Sequence, residues 1–451
     1  MMIERIVIMA HKEKEVDEAE QIALRYKAAH PKEYKEYIKR HWVVFAVAYF
    51  GYVCAYLVRN NFKLSSEQIR IDNGWSLIQV GMILTGFTIA YGIGKFIMGM
   101  VVDNISLRKA FAGALAGSSI ICIVMGFTTS VWFFFILMLC LGMIQGVLSP
   151  GSQSMIANWF PNKTRGAGIA VWNTSQNLGG ALLPMMLGGF AGAGLPIRYS
   201  FWVPAVIVLL LSFLFWKFGG DRPEEEGLPT LRDIYGHHGV PMADEVPEGN
   251  FWQIMVKYVF TNRLLLTIGL INAILYFLRF GVENWMPAFL GTELGFTEVQ
   301  YTTAFAVLEW VAIPGCFFFA WVALKLPNRQ SLVGGIGLIA LAALVVVYHQ
   351  NTNYGLLLVV SGIMGALIYG PQLIINILTL NFVPLEAAGT AVGFVGLFGY
   401  IVGELAANLI MPILAQSFSW TTSFIFMAGT GVVAGLLYFS LARAEKKVVD
   451  V

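Results

Sequence analysis

Long apolar runs separated by short polar loops recur along almost the whole chain. Each run has about 20 residues, which is the length an α-helix needs to cross the hydrocarbon core of a bilayer. The one long polar interruption, residues 219–252, is rich in Pro, Gly and charged residues, as is typical of a linker. The pattern predicts twelve transmembrane helices, at 41–62, 78–102, 109–128, 131–155, 166–192, 199–218, 263–288, 300–324, 330–349, 354–380, 387–415 and 420–442.

The polar interruption divides the predicted spans into two groups of six. Residues 12–40 are charged and predict a cytoplasmic, partly helical segment that lies at the membrane surface. The alternative is that these residues form a solvated tail. The expected organisation is an N-terminal segment 1–40, a six-helix bundle 41–218, a linker 219–262, a second six-helix bundle 263–442 and a cytoplasmic tail 443–451.

Basic residues in the predicted loops favour one side of the membrane. Cytoplasmic loops of membrane proteins carry an excess of lysine and arginine. With the N-terminus inside, the cytoplasmic loops carry Arg108, Lys109, Lys163, Arg165, Lys325, Arg329, Arg443, Lys446 and Lys447. The outer loops then carry only Lys63, Arg70 and Arg198. Both termini are therefore predicted to be cytoplasmic, in a multi-pass protein of the plasma membrane.

Composition narrows the possible functions further. The 451 residues are 57% hydrophobic and only 12% charged, which excludes a soluble globular protein and makes the lipid bilayer the main surroundings. The net charge of +2 gives no reason to expect a nucleic-acid partner. No nucleophile–base arrangement and no metal-ligand spacing is present, so we expect neither an enzyme nor a metal or cofactor, and no required protein partner.

The two halves repeat each other at a spacing of about 220 residues. The segment Tyr56–Arg59 matches Tyr276–Arg279, and three further segments match in the same register: 158–161 with 381–384, 167–171 with 388–392, and 93–96 with 314–317. A parallel repeat of two six-helix bundles places a binding site at the bilayer midplane between them.

Two arginines, Arg59 and Arg279, lie in equivalent apolar spans of the two halves. An arginine at the centre of a membrane helix costs about 2.5–3.5 kcal/mol on insertion scales, so such residues are usually functional. A guanidinium group matches the oxygens of a phosphate with two parallel hydrogen bonds. The pair predicts one anionic ligand, such as a phosphate monoester, held between the halves; the alternative is that each arginine reaches a headgroup or pairs with a helix carboxylate.

Further polar side chains in the spans complete the candidate substrate site. Lys95 is a second intramembrane cation, which could guide an anion or pair with Glu283, Glu309 or Glu404. The remaining candidates for substrate binding are Tyr52, Tyr56, Tyr91, Tyr276, Tyr369, Tyr400, Asn173 and Gln176. Glu309 lies in the middle of its span and needs a partner or a proton, so a structural ion pair and a coupling role both remain open.

Several segments resemble known transporters. The loop Gly99–Lys109 resembles the glycine–aspartate–basic signature of the major facilitator superfamily, although Asn104 replaces a usual basic residue. The segments Tyr56–Phe62, Ala90–Lys95, Trp172–Asn173, Leu178–Gly180, Tyr276–Arg279 and Ile368–Pro371 resemble the organophosphate:phosphate antiporter family of that superfamily. The resemblance implies an all-α membrane protein with twelve helices in two pseudo-symmetric six-helix bundles. It also implies exchange of an organic phosphate for inorganic phosphate, with Arg59 and Arg279 as the phosphate clamp.

The chain departs from this family at positions that affect coupling. Gln176 occupies the place of a usual histidine, and Asn60 and Asn284 occupy the places of an ion pair in glycerol-phosphate members, which predicts an amide pair. The candidate coupling and gating residues are Glu309, Glu283, Asn60 and Asn284. The organic phosphate is expected to belong to the phosphoglycerate, glycerol-3-phosphate or hexose-6-phosphate class. A proton-coupled organic-anion symporter and a membrane sensor of sugar phosphates remain alternatives.

Overall fold

A computed structural model describes residues 19–101, 105–236, 255–383 and 388–449. All regular elements among these residues are helical, which confirms the predicted all-α fold. By length and composition, 11 helical segments in this part of the chain could cross a membrane. They are Pro31–Asn73, Leu77–Met98, Leu107–Met125, Val131–Trp159, Tyr199–Phe218, Arg263–Glu283, Glu298–Lys325, Gln330–Gln350, Tyr354–Asn381, Thr390–Ser417 and Trp420–Lys446.

The predicted fifth span is a pair of helices, Asn162–Asn173 and Ser175–Gly192, interrupted at Thr174. The second helix begins with the polar residues Ser175, Gln176 and Asn177, which make this segment less apolar than the other spans. With this pair counted as span 5, we number the spans 1 to 12 in chain order, so that Arg263–Glu283 is span 7 and Thr390–Ser417 is span 11.

Span 1 differs from its prediction at both ends. Its first helix begins at Pro31, ten residues before the predicted start, because residues 31–40 continue the helical turns of the apolar run. That helix ends at Leu57, and a second helix covers Asn61–Asn73. Arg59 therefore lies in a three-residue break and not within a continuous helix. Broken membrane helices are typical of substrate sites in transporters, because the unwound backbone and the helix ends face a ligand cavity.

Close glycine contacts reproduce the sequence repeat in the packing. A Cβ at Gly179 of span 5 would lie 2.5 Å from the carbonyl oxygen of Val53 in span 1. In the second half, a Cβ at Gly403 of span 11 would lie 2.2 Å from the carbonyl oxygen of Ala273 in span 7. Both glycines let a neighbouring backbone approach closely, as small residues do at membrane helix interfaces. These matched contacts place Tyr56 and Tyr276 in equivalent positions, against Gly179 and Gly403 respectively.

At one end of the bundle, the loops between spans join the start of the linker. Asp221 accepts hydrogen bonds from the Ser106 hydroxyl at 2.7 Å and from the Arg108 amide at 2.7 Å, and Arg40 donates to the Gly219 carbonyl at 2.9 Å. We call this the basic end, because it carries Arg40, Arg108, Lys163, Lys325 and Arg329. Asp103 and Asn104 of the signature loop, and linker residues 237–254, lie outside the described residues.

The two halves meet at the opposite end, which we call the closed end (residues 61–81 and 286–298). Thr292 hydrogen-bonds to Glu67 there and accepts a bond from Arg70 at 3.3 Å. In the described part of the chain, all side-chain hydrogen bonds between residues before 219 and residues after 262 lie at this end or at mid-depth. The prediction that Lys63 lies in an outer loop was wrong, because the helix Asn61–Asn73 buries this side chain between the halves.

Candidate anion site between the two halves

A cavity of about 40 Å³ lies between the halves at mid-depth. Its lining includes both Arg59 and Arg279, so the structure brings the two predicted arginines to one small space. The other charged residues of the lining are Lys63, Glu283 and Glu404, and its polar residues include Tyr56, Asn60, Tyr91, Asn284 and Tyr400. Both arginines are buried, with relative exposures of 8% and 5%. Two buried guanidinium groups in one cavity form an arrangement suited to an anion.

Arg59 has one polar partner and several aromatic neighbours. Its Nε donates to Gln145 Oε1 at 2.7 Å, while its Nη2 is buried without a hydrogen-bond partner. The guanidinium carbon lies 4.6 Å from the ring centroids of both Tyr56 and Tyr91. Ring faces attract a cation but leave its N–H donors free. Arg59 therefore retains an unused donor inside the cavity wall.

The rings around Arg59 pack against aromatic side chains of other spans. Tyr52 lies 6.0 Å from the guanidinium and packs against Trp172 of span 5 at 4.7 Å between centroids. Tyr91 lies on span 2 and contacts Tyr400 of span 11 at 5.3 Å. Its hydroxyl is also buried without a hydrogen-bond partner. A second unused polar group therefore lies close to the free donor of Arg59.

Arg279 is fully engaged by its own half. Its Nε donates to Glu283 Oε1 at 2.9 Å, its Nη2 to the Tyr369 hydroxyl at 2.6 Å and its Nη1 to Gln372 Oε1 at 3.3 Å. The Tyr369 ring also lies 4.4 Å from the guanidinium carbon. Gln372 in turn donates to the Tyr276 hydroxyl at 3.0 Å. An anion that binds Arg279 must displace one of these acceptors or share the guanidinium with it.

Glu283 connects the two halves through opposite charges. It lies one helical turn after Arg279, which brings its carboxylate back to that guanidinium. Its second oxygen, Oε2, accepts from Lys63 Nζ of the first half at 3.2 Å. The predicted gating residue Glu283 is thus a buried carboxylate shared by one cation from each half.

Glu309 is held by neutral donors. The Tyr369 hydroxyl lies 3.2 Å from both of its carboxylate oxygens, and Asn177 Nδ2 of span 5 donates to Oε2 at 2.8 Å. Among the described residues, no ion pair involves Glu309. Through Tyr369 this carboxylate is two hydrogen bonds away from Arg279, and through Asn177 it is joined to the first half.

Six predicted binding residues lie outside the cavity lining: Tyr52, Tyr276 and Tyr369, which contact the arginines, and Lys95, Asn173 and Gln176. Lys95 Nζ lies 5.6 Å from the Tyr400 ring centroid and makes no ion pair with any described carboxylate, so none of its three suggested partners is used. The Tyr56 hydroxyl donates to Gln176 Oε1 at 3.2 Å, and Gln176 lies 3.4 Å from Asn173 Oδ1. Lys95, Gln176 and Asn173 are partly or fully exposed, on the side of the cavity that faces the basic end.

A π-helical segment, Phe398–Glu404, shapes span 11 at the cavity. Such wide turns often occur at functional sites. Here the segment brings both Tyr400 and Glu404 to the lining, and Glu404 Oε1 accepts from the Thr88 hydroxyl of span 2 at 2.9 Å. Asn408 donates to the same hydroxyl at 3.0 Å.

The predicted amide pair between Asn60 and Asn284 is not a direct hydrogen bond. Both side chains line the cavity, but Asn284 Nδ2 donates to Asn408 Oδ1 at 2.7 Å. The ionic link between the halves has a different location, at Lys63 and Glu283. Each of these residues is close in sequence to one of the asparagines, so the charges are displaced by a few positions and not lost.

Sequence reasoning missed several residues that complete the site. Lys63 was assigned to a loop, and Gln145, Gln372, Thr88 and Asn408 were not selected. Gln145 carried a usable signal, because it is the single amide within residues 131–150. Polar side chains in membrane helices mark interhelical contacts or sites.

Comparison with known proteins identifies the relatives of this arrangement. Residues 48–407 match the family described as Major Facilitator Superfamily. A crystal structure of a bacterial homolog to the human lysosomal transporter Spinster, in an inward-facing and unoccupied conformation, superimposes with a TM-score of 0.78 at 14% identity. The superposition covers 91% of this chain and 98% of that one. At this identity the likeness concerns the fold alone.

Curated relatives are closer in sequence. The phosphoglycerate transporter protein of Salmonella typhimurium is 31% identical over 88% of this chain and 87% of its own length. The glycerol-3-phosphate transporter of Bacillus subtilis is 32% identical, covering 87% and 90%. The hexose-6-phosphate:phosphate antiporter of Salmonella typhimurium is 30% identical, covering 85% and 84%. A membrane sensor protein of Salmonella typhimurium is also similar, at 27% identity over 91% of this chain and 93% of its own length.

Proposed function

Because the chain belongs to the major facilitator superfamily, and within it to the organophosphate:phosphate antiporter family, we propose that it exchanges a phosphorylated organic metabolite for inorganic phosphate. The organic substrate belongs to the phosphoglycerate, glycerol-3-phosphate or hexose-6-phosphate class. The observation that carries this proposal is that Arg59 and Arg279, one from each half, line a single buried cavity.

The phosphate group binds first to the free donor of Arg59. Its Nη2 is buried without a hydrogen-bond partner, so an incoming phosphate oxygen displaces no protein acceptor there. A second phosphate oxygen then competes with Glu283, Tyr369 or Gln372 for Arg279. Charge-assisted hydrogen bonds contribute about 1.5–3 kcal/mol each, which makes the exchange of partners favourable for a doubly charged ligand.

Bridging of the arginines by an anion couples substrate to movement. With phosphate bound, the like charges of Arg59 and Arg279 no longer oppose closure of the halves around the site. Without an anion, these like charges disfavour that closure, so the carrier returns only when it is loaded, and exchange prevails over leak. Lys63, Glu283, Asn177 and Glu309 connect the halves and are the proposed gating contacts.

The orientation follows from the basic residues of the loops. The basic end is proposed to face the cytosol, with both termini on that side of the plasma membrane. The closed end then faces outward, and the structure corresponds to a carrier that opens toward the cytosol. Lys95, Asn173 and Gln176, which lie on the basic-end side of the cavity, guide the anion between the cytosol and the arginines.

A membrane sensor is the second candidate, since one relative of similar coverage carries that name. A sensor needs the same anion site but no transport cycle. Flux therefore separates the two functions: a sensor binds phosphate without moving it across the membrane.

The test is counterflow of labelled phosphate in liposomes that contain the purified protein and unlabelled internal phosphate. We expect uptake by the wild type, inhibition by external organic phosphates, and at least tenfold loss in both Arg59→Lys and Arg279→Lys. Lysine keeps the charge but loses the planar pair of donors. Arg198→Lys, at a loop arginine that stacks on Trp202, is the matched control and should transport normally. Phosphate binding without flux would favour the sensor, and normal flux in either site variant would contradict the clamp.

A further inference from the structure

Glu404 places a carboxylate in the cavity, and no described cation forms an ion pair with it. Thr88 supplies its only described side-chain hydrogen bond, to Oε1 at 2.9 Å. The residue is 6% exposed and belongs to the cavity lining together with Arg59 and Arg279. An ionised carboxylate at this position repels any anion that enters the cavity, whereas a protonated one can donate a hydrogen bond to it.

The charges of the cavity wall do not balance a doubly charged phosphate. The lining contains three cations, Arg59, Lys63 and Arg279, and two carboxylates, Glu283 and Glu404. One positive charge remains when both carboxylates are ionised, so a bound dianion leaves one uncompensated negative charge in a buried space. Such a charge is costly away from water. One proton restores neutrality.

The residues around the cavity indicate which wall group accepts this proton. Glu283 is held in its ionised form by Arg279 and Lys63 at 2.9 and 3.2 Å. Glu404 has only a neutral hydroxyl donor. The other titratable groups of the lining are the phenols of Tyr56, Tyr91 and Tyr400, which are not cations and so cannot form an ion pair with this carboxylate. Beyond the lining, Lys95 and Glu309 add one charge of each sign and leave the balance unchanged.

We propose that Glu404 is a proton-binding site, and that a doubly charged phosphate group enters the cavity together with one proton held on this carboxylate. This inference rests on the proposed function, since it assumes a phosphate ligand at Arg59 and Arg279. The same proton accompanies the organic phosphate and inorganic phosphate, so it does not by itself favour one of the two ligands. Its consequence is that binding and transport depend on pH even when the ionic form of the ligand is held constant.

The experiment measures proton uptake on binding of inorganic phosphate to the purified protein in detergent. Calorimetric titrations are done in two buffers of different ionisation enthalpy, at a pH about two units above the second pKa of phosphate, so that the free ligand is a dianion. The wild type should take up about one proton per phosphate. Glu404→Gln, which mimics the protonated group, should bind phosphate at least as tightly at this pH and take up no proton.

Matched variants make the outcome specific. Glu298→Gln, at the closed end, should take up a proton as the wild type does. Thr88→Val removes the donor that favours the ionised carboxylate, so the midpoint of the pH dependence of phosphate affinity should move to higher pH. This variant also keeps the test valid if Glu404→Gln fails to fold.

Two results with variants would overturn the inference. One is proton uptake that persists in Glu404→Gln, and the other is uptake that is lost only in Glu309→Gln, which would assign the proton to Glu309. Phosphate binding by the wild type without proton uptake would also reject the proton site, while leaving the proposed function intact. Absence of phosphate binding in the wild type would instead reject the proposed function itself.

Discussion

The two halves present equivalent arginines in different states. Arg59 lies at a break between two helices, beneath aromatic rings, with one polar partner and one buried donor that has none. Arg279 lies within the continuous helix Arg263–Glu283 and donates to three side chains of its own half. The sequence repeat therefore preserves the residue and its position but not its surroundings.

This difference assigns the arginines different roles for the same ligand. An anion gains a bond to Arg59 without displacing any protein group. At Arg279 it must replace an acceptor or share the guanidinium with it, and two of the acceptors are bonded to further charged groups: Glu283 to Lys63, and Tyr369 to Glu309. Ligand binding at Arg279 is therefore connected to the contacts that join the halves, whereas binding at Arg59 is not. Arg59 can therefore capture the ligand, while Arg279 connects ligand binding to movement of the halves.

Removal of each arginine should give the largest contrast between the halves. Arg279→Met leaves Glu283, Tyr369 and Gln372 without a shared donor, so the free energy of unfolding without ligand should fall by about 3 kcal/mol. Arg59→Met removes one hydrogen bond, to Gln145, together with a donor that is already unsatisfied, so stability should fall by only about 1 kcal/mol. Both variants should lose phosphate binding. Thermal unfolding in detergent, without and with phosphate, measures both effects.

Equal losses of stability in the two variants would contradict the proposed difference between the arginines. Such a result would mean that Arg59 has structural partners comparable to those of Arg279. Arg198→Met again serves as the control, because this arginine lies in a loop and stacks on Trp202 outside the site.

The fold and the arginine pair could be predicted because they depend on signals that a single sequence carries. Apolar length indicates the spans, and the shared spacing of Arg59 and Arg279 indicates the repeat. The asymmetry could not be predicted, because it depends on which helices meet at the cavity. Gln145 and Gln372 are distant in sequence from the arginines that they contact, at 86 and 93 residues.

Lys63 shows why charge alone is ambiguous at the end of a span. In the sequence it follows an apolar run and matches an outer loop. In the structure the break at residues 58–60 starts a second helix, which turns Lys63 inward to Glu283. The length of an apolar run does not reveal such a break, and the partner is 220 residues away. The polar residues at the start of the second helix of span 5 also have a distant partner that the sequence does not reveal, because Asn177 donates to Glu309.

Packing at the closed end should have the next largest effect. A Cβ at Gly81 of span 2 would lie 2.1 Å from the carbonyl oxygen of Asn408 in span 11, so Gly81→Ala should destabilise the closed end by about 1–3 kcal/mol. Spin labels at Asp72 and Glu293, in a variant without native cysteines, should then show longer distances between the halves. Gly113→Ala, where an added Cβ meets nothing within 4 Å, should leave the distances unchanged. Unchanged distances in Gly81→Ala would show that this contact does not hold the halves together.

The smallest effect is expected at the ionic contact between the halves. Loss of one partner from a buried ion pair is usually severe, but in Lys63→Met the remaining carboxylate, Glu283, keeps Arg279 as its counter-ion. The free-energy difference between the closed and open states should therefore change by only about 1 kcal/mol. The ratio of open to closed molecules should rise roughly fivefold, as measured with the same labels. Lys63→Arg retains the charge and should restore the wild-type distances. Phosphate should widen the wild-type distances and have less effect in Lys63→Met, because the contact that it weakens is already absent. An equal response to phosphate in both proteins would mean that ligand binding at Arg279 is not coupled to the contacts at the closed end. The two arginines would then not differ in role as proposed.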